Sequence, residues 1–139
     1  MLFMAAHKGQ VSVEQMFITS VGITFVSAMF FLAVLMSADT VRRTEAQDTV
    51  ERITKSADLV YAMGPGAKTS IEVLVPDSIV LVNISGSRIL IRIGMVGGET
   101  DVYSHSDGEL SGTLTSKSGR QRVTLTVDNS SLVLINSTG

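Results

Sequence analysis

Asp101, His105 and Asp107 are the residues of this chain whose types and spacing come nearest to a reactive cluster. Spaced Asp-x3-His-x-Asp, they put Asp101 and His105 on one face of a strand with Asp107 in the turn beyond. Carboxylate and imidazole are both metal ligands. A polar strand face running into a turn accounts for the same pattern. A catalytic site needs buried, paired titratable groups in a cleft, and one histidine among short strands does not supply them. The chain has no cysteine, and its other histidine, His7, lies far away in sequence. There is no Gly-x-Ser-x-Gly elbow. The Gly94-Met95-Val96-Gly97-Gly98 stretch lacks the lysine and following helix of a phosphate loop, so it reads as a hairpin turn. Asp39, Glu45, Asp48 and Asp58 fit no acid/base spacing. The expectation is therefore a protein that is not an enzyme, with no catalytic residue, metal or cofactor. A net charge of -2 also argues against nucleic acid as a partner.

Three Asn-x-Ser/Thr sequons offer a different chemistry, N-glycosylation at Asn83, Asn129 and Asn136. Their density in the last part of the chain favours an exposed, exported body.

The elements that must carry these residues divide sharply by charge. Of 11 Lys/Arg and 13 Asp/Glu, only Lys8 and Glu14 precede Asp39. Met16 to Met36 is a run of 21 residues without a charge, MFITSVGITFVSAMFFLAVLM. As a helix it would be about 31 Å long, the hydrocarbon thickness of a bilayer. It is apolar on every face, which a soluble amphipathic helix is not. An ordinary secretory signal would be cut after the run at a small-x-small site. The nearest candidate, Met36-Ser37-Ala38, has Met where a small residue is preferred. Ser20, Thr24 and Ala28 repeat every four residues and form a stripe that lets helix backbones approach closely.

Immediately before the run stand Lys8, Gly9, Gln10, Ser12 and Glu14. An acidic residue this close to a membrane span needs a partner or access to the headgroups. Cleavage after Gly9 would make Glu14 the fifth residue of the mature chain, about one helical turn from a free α-amine. In this frame the stretch resembles the class III signal peptide of archaeal type IV pilin-like proteins: Lys or Arg, Gly, then Gln-x-Ser-x-Glu, then at once the hydrophobic helix. The resemblance covers about the first 36 residues. It implies a leader over residues 1–9, removed by a prepilin peptidase, and a retained helix over 10–36 that anchors the precursor in the membrane. It further implies assembly by an ATPase and a platform protein into a homopolymeric, extracellular filament. Glu14 would pair with the α-amine of a neighbouring subunit. Met16, Phe17, Ile23, Phe25, Phe30, Phe31 and Leu35, with the Ser20/Thr24/Ala28 stripe, would pack the filament core. Adhesion to cells and surfaces, aggregation and DNA uptake all use such scaffolds.

After the apolar run the helical pattern continues as an amphipathic stem over 37–63. Val50, Ile53, Ala57 and Val60 form a narrow apolar seam. Asp48 with Arg52, and Glu51 with Lys55, are acid-first i,i+4 pairs on faces read as solvated. Helix is thus predicted from about residue 12 to 62, ended by Gly64-Pro65-Gly66. Residues 67–139 read as an antiparallel β domain, with strands predicted at 68–75, 79–84, 88–93, 99–105, 109–115, 120–127 and 132–135. Ile71/Val73/Val75, Ile89/Ile91/Ile93 and Val123/Leu125/Val127 alternate and should face the core and the stem. So small a sheet domain buries little area alone, so the stem seam should complete its core. The fold class expected is α+β, a long N-terminal hydrophobic helix packed on a small antiparallel sheet domain, which is also what the pilin resemblance implies.

The alternative function is a single-pass, membrane-anchored extracellular β domain that binds a ligand or partner and never polymerises. An enzyme tethered by the same helix is a third option, without a convergent polar site to support it. Arg42 and Arg43 follow the apolar run whereas only Lys8 precedes it. Counted simply, the positive-inside rule would put the body in the cytoplasm; the leader motif and the sequons both require it outside.

Overall fold

The structure is a computed structural model describing residues 2–138, with side chains from Gly9 onward. It divides into two units, 1–37 and 38–139.

One helix, α1, covers Leu2–Met63. It begins about ten residues before the expected start. Leu2 to Lys8 contains good helix formers and no breaker, so nothing local stops the helix there. It ends where the sequence predicts, at Gly64, whose φ of 92° lies in the left-handed region that glycine tolerates after a helix C-terminus. The Gly64 amide donates to the Tyr61 carbonyl (3.1 Å), and the Gly66 amide donates to the Val127 carbonyl (3.0 Å), which docks the helix exit on the β domain.

Seven strands follow: β1 (Lys68–Val75), β2 (Ile79–Ser85), β3 (Arg88–Met95), β4 (Gly98–His105), β5 (Leu110–Thr113), β6 (Gly119–Val127) and β7 (Val133–Thr138). β2-β3-β4 form an antiparallel meander with two-residue turns at Gly86-Ser87 and Val96-Gly97. The other four form a second sheet in the order β1-β6-β7-β5. There β1-β6 and β6-β7 are antiparallel, but β5 and β7 are parallel. The α+β architecture is the expected one, and this single parallel pair departs from a fully antiparallel sheet. The link from β5 to β6 skips a strand position, and β7 then returns into the gap between them. β5 is also shorter than the predicted 109–115.

The expected alternation fills the core. Ile89, Ile91, Ile93, Val123 and Leu125 are fully buried, Val73, Val75 and Val127 nearly so, and Ile71 is half-buried. The stem seam joins the same cluster through Ala46, Val50, Ile53, Ala57 and Val60, none more than 1% exposed. At about 25 cal/mol per Å² of apolar surface, such burial is the main favourable term for a domain of this size. Thr49 is buried beside the seam, and its hydroxyl donates to the Leu74 carbonyl (2.6 Å), tying stem to β1.

The charged faces of the stem are not simply solvated, contrary to the sequence reading. Asp58 Oδ1 accepts hydrogen bonds from the Ser106 hydroxyl (2.5 Å) and the Asp107 amide (2.8 Å), gripping the turn after β4. Asp39 Oδ2 accepts from the Val96 amide (3.0 Å) in the β3-β4 turn. Arg42 bridges Asp39 (3.3 Å) and Asp77 (3.2 Å). Asp48–Arg52 and Glu51–Lys55 form as expected along the helix. Because Ser106 is buried, removing its acceptor strands a polar group. Asp58→Ala should therefore destabilise the β domain by about 1–3 kcal/mol, read as a lowered Tm of the full chain, with Asp58→Asn milder because it keeps an acceptor.

Candidate functional site

The candidate site is the first half of α1 and the residues just before its apolar run. Gly9, Gln10, Ser12 and Glu14 are all exposed on the helix. Of Lys8 only the backbone is described, so its side chain lies outside the described residues. Gln10 and Glu14 are four residues apart and share a face. The Gly9–Gln10 bond lies within the helix, where glycine is worth about 1 kcal/mol less than alanine.

Beyond Glu14 the helix is an uncovered apolar rod. Phe17 and Phe30 are each 70% exposed, and Met16, Ile23, Phe25 and Phe31 are all above 60%. Leu35 is half-buried. This is the one helix among the described residues long and apolar enough to cross a membrane, and its most apolar window has no buried share. Soluble monomers rarely leave a contiguous apolar surface of this extent open. The rod is a candidate membrane anchor.

Three of its hydroxyls are internally satisfied. The Thr19 hydroxyl donates to the Gln15 carbonyl (2.7 Å), Ser20 to Met16 (2.8 Å) and Thr24 to Ser20 (2.8 Å). Hydroxyls bonded to the carbonyl four residues back demand no partner from lipid or from another helix. Ser20, Thr24 and Ala28 therefore present small, chemically quiet surface along one line, with a shallow groove beside it lined by Ser12, Gln15, Met16, Thr19 and Ser20.

The three residues weighed for metal binding are dispersed. Asp101 is held in a two-pronged ion pair by Arg92, at 2.6 and 2.9 Å. The hydrogen bond from Arg92 holds the Asp101 carboxyl below the usual carboxylate range and raises the Arg92 guanidinium correspondingly. His105 sits edge-on to the Tyr103 ring, 6.0 Å between centroids. Asp107 lies in the turn held by Asp58. Among the described residues no three His, Cys, Asp or Glu side chains gather as a metal set.

The chain matches no family model, no curated protein and no solved structure.

The sequon asparagines are all exposed: Asn83 on β2, Asn129 in the β6-β7 turn and Asn136 on β7. Sequence reasoning missed the roles of Asp39, Arg42 and Asp58. The available signal was position, since Asp58 directly follows seam residue Ala57 and so lies at the edge of the buried stripe. Which loop each would reach was not readable.

Proposed function

We propose that this chain is a structural subunit of an archaeal type IV pilus-like surface filament, cut after Gly9 and polymerised through its N-terminal helix. One observation carries the reading: an apolar helix with no cover in the single chain begins directly after Lys8-Gly9-Gln10-x-Ser12-x-Glu14. Such a surface must be covered by lipid or by like helices. Passing from one to the other leaves Phe17, Phe30 and Phe31 in an apolar environment throughout, so polymerisation need not expose them to water. Quiet hydroxyls along Ser20 and Thr24 suit close helix packing. The body would then lie outside the membrane, where its three exposed sequons are open to modification.

Partners in this reading are further copies of the chain, a prepilin peptidase, and an assembly ATPase with its platform. Intact mass and N-terminal sequencing of protein from its native membrane or shed filaments test it. The expected chain begins at Gln10 and carries extra mass at one or more of Asn83, Asn129 and Asn136. A mature chain still beginning at Met1 would sink the filament reading and leave a plain membrane-anchored domain. A start near Asp39 would make the helix an ordinary discarded signal.

A further inference from the structure

The outer face of the β2-β3-β4 sheet carries an open groove of about 340 Å³ lined by Asn83, Ser85, Ser87, Arg88, Leu90 and His105. Its size falls at the lower end of the roughly 300–1,000 Å³ usual for small-molecule sites. The registers Ser85↔Arg88↔His105 and Asn83↔Leu90↔Tyr103 bring these side chains onto one face from three strands.

Arg88 is the distinctive member. Arg42, Arg52, Arg92 and Arg122 each hold a carboxylate of this chain. Arg88, like Arg43 and Arg120, holds none among the described residues, but it alone of these three lines this groove. Four positions further along the same strand face, Arg92 has Asp101 directly across from it, whereas Arg88 has His105. Arg88 instead lies over the Tyr103 ring, 5.6 Å from its centroid. Cation–π contact fixes the guanidinium plane while leaving its N–H fork free. That fork matches a carboxylate in two-pronged fashion, as Arg92 and Asp101 already do next door. Tyr103 adjoins the groove beside Arg88 rather than lining it, and is 56% exposed. Around them stand hydroxyls, an amide and an imidazole, which hydrogen-bond neutral hydroxyl groups.

We propose that this groove binds an acidic saccharide. The sugar carboxylate would take the Arg88 fork, a pyranose face would lie on Tyr103 and Leu90, and ring hydroxyls would bond to Asn83, Ser85, Ser87 and His105. A simple anion would use only the first of these contacts. A neutral sugar would use only the others. The saccharide has two conceivable sources, a free polysaccharide or a glycan attached at Asn83, which itself lines the groove.

The inference is independent of filament assembly, and its test uses detergent-solubilised full chain made in a host without N-glycosylation. Trigalacturonate is the probe, with maltotriose and inorganic phosphate as comparators, followed by calorimetry and by shifts of the body's NMR signals. Trigalacturonate should bind saturably and maltotriose should not. Arg88→Ala should weaken binding about tenfold, the loss expected for one charge-assisted contact. Arg88→Lys should recover part of it, since charge returns without the fork. Tyr103→Ala should weaken trigalacturonate more than it weakens phosphate, which loses only the fixing of the Arg88 fork. Both side chains are exposed, so an unaltered melting curve certifies each variant as folded. Absence of saturable binding, equal binding by Arg88→Ala, or phosphate competing as well as the sugar would overturn the proposal. Repeating the titration on glycosylated protein separates the sources: exclusion of added sugar assigns the groove to the attached glycan, and retained binding assigns it to free polysaccharide.

Discussion

Gly112→Ala should cost the β domain about 3 kcal/mol or more, making it among the most damaging single changes available. Gly112 lies in β5, paired with Ile135 of β7. Its φ is 140°, a conformation that side-chain-bearing residues rarely adopt. A Cβ added there would stand 1.9 Å from the Ile135 carbonyl oxygen. Backbone cannot yield as a flexible side chain does, so relief requires β5 to move away from β7. That would uncover Leu110 and Ile135, both in the core. Small domains have only about 5–15 kcal/mol of stability in total. Chemical denaturation of the full chain should show a clearly lower midpoint, and hydrogen exchange should speed up in β5 and β7 first. A midpoint equal to that of the parent chain would mean that β5 is not held against β7 as described.

Glu14→Ala should leave membrane insertion intact and reduce filament incorporation on the order of a hundredfold or more. Within the proposed function, assembly brings the carboxylate into a helix bundle against the α-amine freed at Gln10. Removing one partner of a buried ion pair leaves the other charge uncompensated, at a cost of about 3–5 kcal/mol, which is more than two decades in an equilibrium. In the single chain Glu14 is exposed on the helix, so the folded monomer gains nothing from it. The variant should therefore accumulate in membranes at normal levels with an unchanged Tm while shed filaments disappear. Normal filaments from Glu14→Ala would remove the role assigned to this residue, whatever the fate of residues 1–9.

Much of the fold was legible in the sequence because its signals are local and periodic. Val50, Ile53, Ala57 and Val60 recur at helical spacing, and all four are buried. Ile89, Ile91 and Ile93 recur at strand spacing, and none is exposed. Gly64-Pro65-Gly66 marks the helix end by backbone chemistry alone. What escaped was non-local. The parallel pairing of β5 with β7 depends on a strand placed later in the chain, and Gly112 gave no hint that a carbonyl would press against it. Asp58 and Asp39 look like ordinary surface acids until Ser106, Asp107 and Val96 are brought to them. The early helix start has another cause, since residues 2–8 carry no stop signal and the charge pattern drew attention to the later boundary. For the candidate site, the run from Gly9 to Glu14 was legible as a motif. Its environment was not, because these residues stand exposed on the helix with no packing to describe.

The order of strands also sets a schedule. β7 lies between β6 and β5, yet residues 133–138 are made after both. A nascent chain that has emerged only as far as Val127 holds β5 with its ladder partner still unmade, and the second sheet cannot close. Loop closure delays such non-local pairing further. Until β7 arrives the second sheet stays open between β6 and β5, and that strand acts as the bolt that closes it.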